Sequence, residues 1–287
     1  MLVVTSLGAL GGLTFLLASL LVIANRILHV EEDPRIERVE EMLPHANCGA
    51  CGYPGCRPFA EALVNGKSRP GHCTVNSEEG HLEIANYLGV DVGSGPKRVA
   101  RLACAGGSNV SRNNARYEGL DTCAAASLVS GGGKGCAWGC LGLADCAIAC
   151  DFDAITMNQH GLPVVDEERC TACGDCVVAC PKDLFSLHDI DHRLWVACRS
   201  QAEGDEILDD CHVACTACGR CAKDGPGLIE MKNGLPVIDY AQQHSTKIPI
   251  ERCPTGAIVW IDEYRGPVKG PSARKIIRKG VRPDAPT

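Results

Sequence analysis

Cysteine is the residue type that can do chemistry in this chain, and its 287 residues contain 20 of them. The clearest group has the spacing C-x2-C-x2-C-x3-C-P and consists of Cys170, Cys173, Cys176 and Cys180. In bacterial ferredoxins, three thiolates of such a run bind one [4Fe–4S] cluster and the fourth binds a neighbouring cluster. The run therefore predicts two clusters that lie close together.

Disulfides and zinc are the alternatives to iron. Disulfide scaffolds are short secreted chains, whereas this chain has a mass of 30.4 kDa. Zinc is the more serious alternative, because a C-x2-C pair also binds zinc, but zinc sites do not require a third cysteine at the same spacing followed by C-P. Iron–sulfur chemistry in a reducing compartment is favoured.

An internal repeat supports this interpretation. A shift of 75 residues places one set of four cysteines on a second set, Cys123, Cys136, Cys140 and Cys146 on Cys198, Cys211, Cys215 and Cys221. A shift of 73 then places 161–166 on 234–239, and Cys180 on Cys253. Each copy predicts a β-hairpin with its turn at 159–161 or 232–234, beside short cysteine-bearing helices.

Two ligand sets follow from the crossed ligation of ferredoxins. The first is Cys150, Cys170, Cys173 and Cys176. In the second copy these four positions hold Gly225, Gln243, Thr246 and Pro249, so that a whole cluster is missing there. The second copy keeps the other set complete, namely Cys215, Cys218, Cys221 and Cys253.

The other set of the first copy lacks one ligand of the usual pattern. Leu143, which cannot bind iron, stands where the middle cysteine is expected. Cys136 is the nearest thiol that could replace it, so the predicted set is Cys136, Cys140, Cys146 and Cys180.

A further set near the N-terminus has a different spacing and consists of Cys48, Cys51, Cys56 and Cys73. Its first three members lie in a glycine-rich loop whose N–H groups can point at sulfur, and a helix is expected over 57–64. A zinc knuckle stays open as the alternative for this set. Together the sets predict at least three [4Fe–4S] clusters and, with this one, four.

Four cysteines remain outside these sets, Cys104, Cys123, Cys198 and Cys211. We expect them to be buried structural thiols, although the x12 spacing that repeats before Cys136 and Cys211 leaves extra ligation open. The glycine-rich stretch 131–135 lacks the phosphate-loop form, and no dinucleotide-binding motif opens a helix. No organic cofactor is therefore expected, and the chain alone has no complete active site.

Residues 2–24 carry no charge and are long enough to cross a membrane as a helix. A signal peptide is disfavoured, because no base precedes the run and no small-residue cleavage site follows it. Arg26 favours a cytoplasmic location for the rest of the chain, anchored by a single span in the cell's inner membrane. The net charge is −7, but the tail from Arg265 is basic; it is either solvated or contacts anionic lipid or an acidic partner.

The expected fold class is α+β, with a transmembrane helix, a small [4Fe–4S] domain and tandem bacterial ferredoxin-like domains. The expected segments in chain order are an anchor (1–25), a charged connector (26–43), a four-cysteine domain (44–90), a linker (91–100), a two-cluster ferredoxin-like domain (101–190), a one-cluster degenerate repeat (191–262) and a basic tail (263–287).

The anchor, the N-terminal loop C-G-A-C-G-Y-P-G-C and the motif G-C-L-G-L-A-D-C before the Cys170 run form a specific combination. Over residues 1–190 it resembles the B subunit of the Rnf ion-translocating electron transport complex, and the copy at 191–262 resembles the longer form of that protein. The resemblance implies an iron–sulfur subunit that passes electrons from reduced ferredoxin toward membrane partners, coupled to Na⁺ or H⁺ transport and NAD reduction.

The partners implied are the other subunits of the complex and soluble ferredoxin, and no nucleic acid is expected. An anchored chain with several clusters and no organic cofactor is in any case typical of an electron conductor. An electron-transfer component of a membrane reductase that keeps a redox regulator reduced stays open as the alternative.

Overall fold

The computed structural model describes residues 2–28, 33–93, 95–242 and 244–274. The chain forms two compact units. The first comprises 1–47, 53–70 and 76–92, and the second comprises 48–52, 71–75 and 93–287. Each unit is described by itself below.

The first unit is helical. Its helices are α1 (Leu2–Leu28), α2 (Pro34–Glu41), α3 (Cys56–Val64) and α4 (Glu78–Leu88). The helix expected over 57–64 is confirmed as α3. Side-chain caps fix two of the starts, because Asp33 accepts from the N–H of Arg35 and Ser77 accepts from the N–H of Gly80.

The helices α2, α3 and α4 supply the buried side chains of this unit. Phe59 and Leu63 of α3, Val39 of α2 and Ile84 of α4 are all at most 2% exposed. Arg57 and Glu40 form an ion pair at 2.8 Å between α3 and α2. The segment expected as a charged connector therefore contains a packed helix.

The helix α1 is 27 residues long. The leucines and the phenylalanine whose side chains are described in it are exposed, for example Phe15 at 76% and Leu21 at 71%. In the part of the chain that the structure describes, no helix is both long and apolar enough to cross a membrane.

The second unit is built from short strands and single-turn helices. The strands are β1 (Arg98–Leu102), β2 (Ile155–Met157), β3 (Pro163–Val165), β4 (Phe185–Asp189), β5 (Leu194–Val196), β6 (Ile229–Lys232), β7 (Leu235–Ile238), β8 (Ile258–Asp262) and β9 (Gly266–Lys269). The helices are α5 (Cys123–Leu128), α6 (Asp145–Ile148), α7 (Asp175–Ala179), α8 (Ile207–Asp210), α9 (Arg220–Asp224) and α10 (Ile248–Glu251), with 3₁₀ turns at Pro70–His72 and Ser130–Gly133.

Both predicted hairpins are confirmed. The strand β2 pairs antiparallel with β3, and β6 pairs antiparallel with β7. The second hairpin turns at Asn233 and Gly234, which both have positive φ (50° and 75°), as a tight two-residue hairpin turn requires.

A strand before the cysteines, which was not expected, extends the repeat. In the first copy β1 pairs with β4 so that Leu102 lies opposite Phe185. In the second copy β5 pairs with β8 so that Val196 lies opposite Ile258. Each copy is thus closed by its own antiparallel pair, and the second is widened by β9.

These strands shift two of the expected segment boundaries. The strand β1 begins at Arg98, inside the segment expected as a linker (91–100), and β9 lies inside the segment expected as a basic tail (263–287). The strand β1 pairs with β4, and β9 pairs with β8, so that both segments have a place in the sheets.

Candidate iron–sulfur centres

Four cysteines of the first copy line one cavity. Cys150 follows α6, Cys170 and Cys173 lie in the loop before α7, and Cys176 is in α7. The cavity encloses about 320 Å³. The structure thus brings together all four residues of the first predicted set, with the backbone N–H of Ala154 3.4 Å from the sulfur of Cys150.

Local backbone geometry explains how the loop before α7 curves around this cavity. Ala172 and Gly174 both have positive φ (56° and 96°), which turns successive peptide groups toward the interior. The N–H of Ala100 in β1 lies 3.4 Å from the sulfur of Cys170. Donors of this kind stabilise the charge on a metal-bound thiolate.

The second copy repeats this arrangement around one cavity. It encloses about 350 Å³ and is lined by the predicted set, Cys215, Cys218, Cys221 and Cys253. Ala217 and Gly219 have positive φ (55° and 66°), as Ala172 and Gly174 do in the same sequence context, C-T-A-C-G. The set that was inferred from the repeat therefore lies together in space.

The third predicted set differs from the cavity that the structure forms by one residue. A cavity of about 330 Å³ is lined by Cys123, Cys140, Cys146 and Cys180. Cys136, which was expected there, does not line it. Burial raises the pKa of Cys146 to about 12, and the thiols of Cys123 and Cys180 act in the same direction.

Asp145 explains why Cys123 reaches this cavity. Its carboxylate accepts from the N–H of Cys123 at 2.7 Å and from that of Ala124 at 3.0 Å. Asp145 is the first residue of α6, and the next residue is Cys146, so this contact joins the start of α5 to the cavity wall. Since the two residues are 22 positions apart in the chain, cysteine spacing carries no signal for this contact.

The remaining cysteines of the second unit also lie together. Cys136 lines a fourth cavity of about 320 Å³ together with three thiols expected to be structural, Cys104, Cys198 and Cys211. Lys134, from the stretch interpreted as a plain glycine-rich loop, lines it as well. The shift of 75 that placed Cys123 on Cys198 is therefore wrong for this pair, because the two residues line different cavities.

The N-terminal set divides between the two units. Cys56 belongs to the first unit, whereas Cys48, Cys51 and Cys73 belong to the second. In the first unit, Asn47 accepts from the N–H of Cys56 at 2.8 Å, which fixes the start of α3. This set stays a prediction.

Within the second unit, the segment that carries Cys73 contacts the first cavity. The hydroxyl of Thr74 donates to the carbonyl of Thr171, which lies between Cys170 and Cys173. In the same unit, Arg98 of β1 donates to the carbonyl of Ala50 at 3.4 Å. Three cysteines of the N-terminal set thus lie on the side of the second unit that holds Cys170 and Cys173.

None of the twenty cysteines, all of which lie in the described part of the chain, forms a disulfide. Among the described residues, no three His, Cys, Asp or Glu side chains converge as ligands of a single metal ion do. The cysteines instead surround cavities of similar volume, an arrangement that suits a multi-atom cluster whose corners are ligated one by one.

Four-cysteine cavities between short helices and hairpins define the class of protein, an iron–sulfur protein of the ferredoxin type. Two family matches agree with this class. Residues 43–75 match the family described as "Putative Fe-S cluster", and residues 162–185, which contain the Cys170 run, match "4Fe-4S binding domain".

Curated relatives cover almost the whole chain, and all three described here are B subunits of redox complexes. The chain is 37% identical over 91% of its length to the B subunit of the Na⁺-translocating ferredoxin:NAD⁺ oxidoreductase complex of Acetobacterium woodii, covering 79% of that protein. It is 34% identical to the B subunit of the ion-translocating oxidoreductase complex of Methanosarcina acetivorans, with 89% of this chain and 97% of that protein covered. It is 36% identical to the B subunit of the proton-translocating ferredoxin:NAD⁺ oxidoreductase complex of Clostridium ljungdahlii, with 89% of each covered.

The chain belongs to the family of B subunits of ion-translocating (Rnf) oxidoreductase complexes. The names of the relatives differ in the transported ion, Na⁺ in one and H⁺ in another. Membership in the family therefore leaves the ion open, while it makes the chain an iron–sulfur subunit of a redox complex.

Proposed function

We propose that this chain conducts electrons from reduced ferredoxin toward membrane subunits of its complex, coupled there to Na⁺ or H⁺ transport and to NAD reduction. The observation that carries the proposal is the placement of cysteines in four-residue sets around separate cavities of one compact unit. A bound [4Fe–4S] cluster supplies one-electron redox chemistry at each such set. No other chemistry is required of this chain.

The ligand assignments that we propose follow the cavities. One cluster is held by Cys150, Cys170, Cys173 and Cys176. A second is held by Cys123, Cys140, Cys146 and Cys180. A third is held by Cys215, Cys218, Cys221 and Cys253. The N-terminal set, Cys48, Cys51, Cys56 and Cys73, is proposed to hold one more.

Hydrogen bonds from the backbone to cysteine sulfurs influence the reduction potential of a bound cluster, and the chain offers such bonds at two of the sets. Backbone N–H groups of Ala100, Ala154 and Leu184 lie 3.4 Å from the sulfurs of Cys170, Cys150 and Cys180. Hydrogen bonds to the ligating sulfur favour the reduced, more negative state and so raise the potential. The apolar residues that line the cavities exclude water and limit proton-coupled side reactions.

We propose that electrons enter at the ferredoxin-type copies and leave at the N-terminal set, which is next to the predicted anchor in the sequence. The Thr74–Thr171 hydrogen bond supports transfer between these two sites, because it joins the segment of Cys73 to the wall of the Cys170 cavity. Close contact between neighbouring sites is what a conductor requires, since electrons must cross from one to the next.

We also propose that the uncharged run from Leu2 to Ala24 anchors the chain in the membrane, with the rest of the chain on the cytoplasmic side. The support for this proposal is the sequence, because the uncharged run 2–24 would be about 34 Å long as a helix, against about 30 Å of hydrocarbon. The hydroxyls of Thr14 and Ser19 donate to carbonyls of the same helix, which reduces their cost in lipid.

The function is tested in membrane vesicles. Deletion of the protein is expected to abolish NAD reduction driven by reduced ferredoxin, and supplying the full chain is expected to restore it. A chain without residues 2–24 should be found in the soluble fraction and should fail to restore activity. Vesicles that keep this activity in the absence of the protein would show that the proposed function is wrong.

A further inference from the structure

We propose that Cys104, Cys136, Cys198 and Cys211 ligate a fifth iron–sulfur cluster, one that lies between the two ferredoxin-type copies. Its existence is independent of the proposed function, whereas its role as a link between copies depends on that function. The four sulfurs come from both copies, so neither copy could form the site without the other.

The first observation is the cavity. The space between its lining residues, part of which is open to solvent, is about 320 Å³, against about 320, 330 and 350 Å³ for the same spaces at the three assigned sets. Like them, it has four cysteines in its lining. Thiols that serve only as packing do not need to gather in fours around a space of this size.

Gly106 lies beside two of the four sulfurs. A Cβ atom on Gly106 would lie 3.1 Å from the sulfur of Cys211 and 3.6 Å from that of Cys104, so glycine at this position lets the chain approach both sulfurs.

The second observation is a two-fold pattern of hydrogen bonds to sulfur. The sulfur of Cys104 accepts from the N–H of Gly106 and of Cys140, both at 3.4 Å. The sulfur of Cys198 accepts from the N–H of Ser200 at 3.4 Å and of Cys215 at 3.3 Å. In each copy the donors are the residue two positions on and a cysteine of the neighbouring cluster set, Cys140 or Cys215.

The same pattern appears in the chain around these residues. Cys104 and Cys198 each follow the first strand of their copy by two residues, after β1 and after β5. Ala103 donates to the carbonyl of Leu184, and Ala197 donates to that of Ala257, both at 2.8 Å. Cys136 stands four residues before Cys140, and Cys211 stands four residues before Cys215. The site is therefore built from equivalent positions of the two copies.

The third observation is charge. Lys134 lines the cavity, and its ammonium donates to the carbonyl of Gly106 at 2.7 Å. A cation at this place offsets part of the negative charge of four thiolates.

The place of the site indicates its role. Through Cys140 it adjoins the set of the first copy, and through Cys215 it adjoins the set of the second copy. An electron that crosses between the copies would reduce a cluster at this site by one electron and oxidise the donor cluster by one electron. Transfer to the next cluster would then reoxidise this site. No bond is made and no proton is moved in either step.

The proposal is tested by native mass spectrometry and iron and sulfide analysis of the anaerobically purified full chain in detergent. Five [4Fe–4S] clusters, with about 20 irons per chain, are expected. Cys104→Ala and Cys198→Ala are each expected to lose about four irons, and the double variant is expected to lose no more than either one, because both residues hold one cluster.

Two variants serve as controls. Cys221→Ala should remove about four irons from the second copy's own set, and combined with Cys104→Ala it should remove about eight. Leu128→Ala, at a side chain that is 86% exposed, should keep all of the iron.

The native mass of the wild-type chain gives the number of bound clusters directly, so the proposal can be tested even if a variant misfolds. A wild-type chain with only four clusters, and variants at Cys104 and Cys198 that lose no iron, would overturn the fifth site and leave the proposed function standing. Four clusters with one zinc would overturn it as well. A chain without any iron would overturn the proposed function and the fifth site together.

Discussion

The two ferredoxin-type copies differ at one set of equivalent positions, where the first copy has four cysteines and the second copy has none. In the first copy, Cys150, Cys170, Cys173 and Cys176 surround a cavity. In the second copy, Gly225 and Pro249 stand at two of these positions and pack together, since a Cβ atom on Gly225 would lie 3.2 Å from the Cγ atom of Pro249. A ligand set has been replaced by direct packing.

The cores around these positions differ accordingly. The buried cluster of the first copy consists of Ala100, Cys146, Ile155, Cys176 and Phe185, two of which are proposed ligands. The buried cluster of the second copy consists of Leu194, Cys221, Leu228, Ile229, Ile238, Ile250, Ile258 and Trp260, with one proposed ligand. We therefore expect the core of the first copy to depend on metal more than the core of the second copy, which is mainly aliphatic.

The largest expected effect is that of iron removal on the two copies. Anaerobic chelation should abolish hydrogen-exchange protection in β1 and β4, because metal ligation contributes folding free energy directly. The strands β5 and β8 should keep part of their protection, since their aliphatic core remains. Equal loss of protection in both pairs of strands would contradict the comparison.

The second prediction concerns Cys123, which takes the place expected for Cys136 in one cysteine set of the first copy. Because Cys123 and Cys136 line different cavities, Cys123→Ala and Cys136→Ala should each remove about four irons, and the double variant should remove about eight. Iron analysis and native mass spectrometry measure this directly. If Cys136 served the set of Cys140, as cysteine spacing alone suggests, Cys123→Ala would leave the iron content unchanged.

The aliphatic core of the second copy gives the third prediction. Ile250 is 4% exposed, and Ile250→Ala should lower the free energy of unfolding by about 2–5 kcal/mol through lost burial and a new cavity. The matched control is Ile248→Ala in the same helix, where the side chain is 54% exposed and a change within about 0.5 kcal/mol is expected. Denaturant titration under anaerobic conditions compares the two, and similar losses would argue against a packed core here.

The smallest expected effect concerns pH. His188 in β4 occupies the position of the buried Ile261 in β8, and desolvation, helped by His192 and Arg101, lowers its pKa from 6.5 to about 4. Since the unfolded chain binds this proton near pH 6.5, stability is full above that pH and falls as the pH drops toward 4.

Because His188 is only partly buried, we expect a loss of roughly 1 kcal/mol between about pH 7 and pH 5.5. His188→Phe should remove most of this loss, as measured by thermal unfolding at both pH values. His45→Gln, at an exposed histidine, should not change it. A pH dependence that is the same in the His188 variant and in the wild type would refute the assignment.

The sequence was most informative where ligands are close together along the chain. The C-x2-C spacing was sufficient to predict the sets of Cys170 and Cys215, and the Met-containing segments before Gly161 and Gly234 were sufficient to predict the hairpins. In both cases the relevant contacts are local along the chain or follow from a repeat.

Spacing failed where a contact between distant residues decides the site. Cys123 joins its cavity through Asp145, and Cys104 meets Cys198 because β1 and β5 end at equivalent places. One signal for the latter was present, since the dipeptide Ala-Cys occurs at both Ala103-Cys104 and Ala197-Cys198. That signal can be interpreted only once the pairing of the strands is known.

The central claim is that the full chain accepts electrons from reduced ferredoxin and distributes them over its cysteine sets. Its most direct test is an anaerobic titration of the purified full chain with reduced ferredoxin, followed by visible absorbance and electron paramagnetic resonance. We expect the visible absorbance of the clusters to bleach, and paramagnetic signals from clusters of both copies to grow, with each electron added. A chain that holds its full iron content yet takes up no electrons from reduced ferredoxin would contradict it.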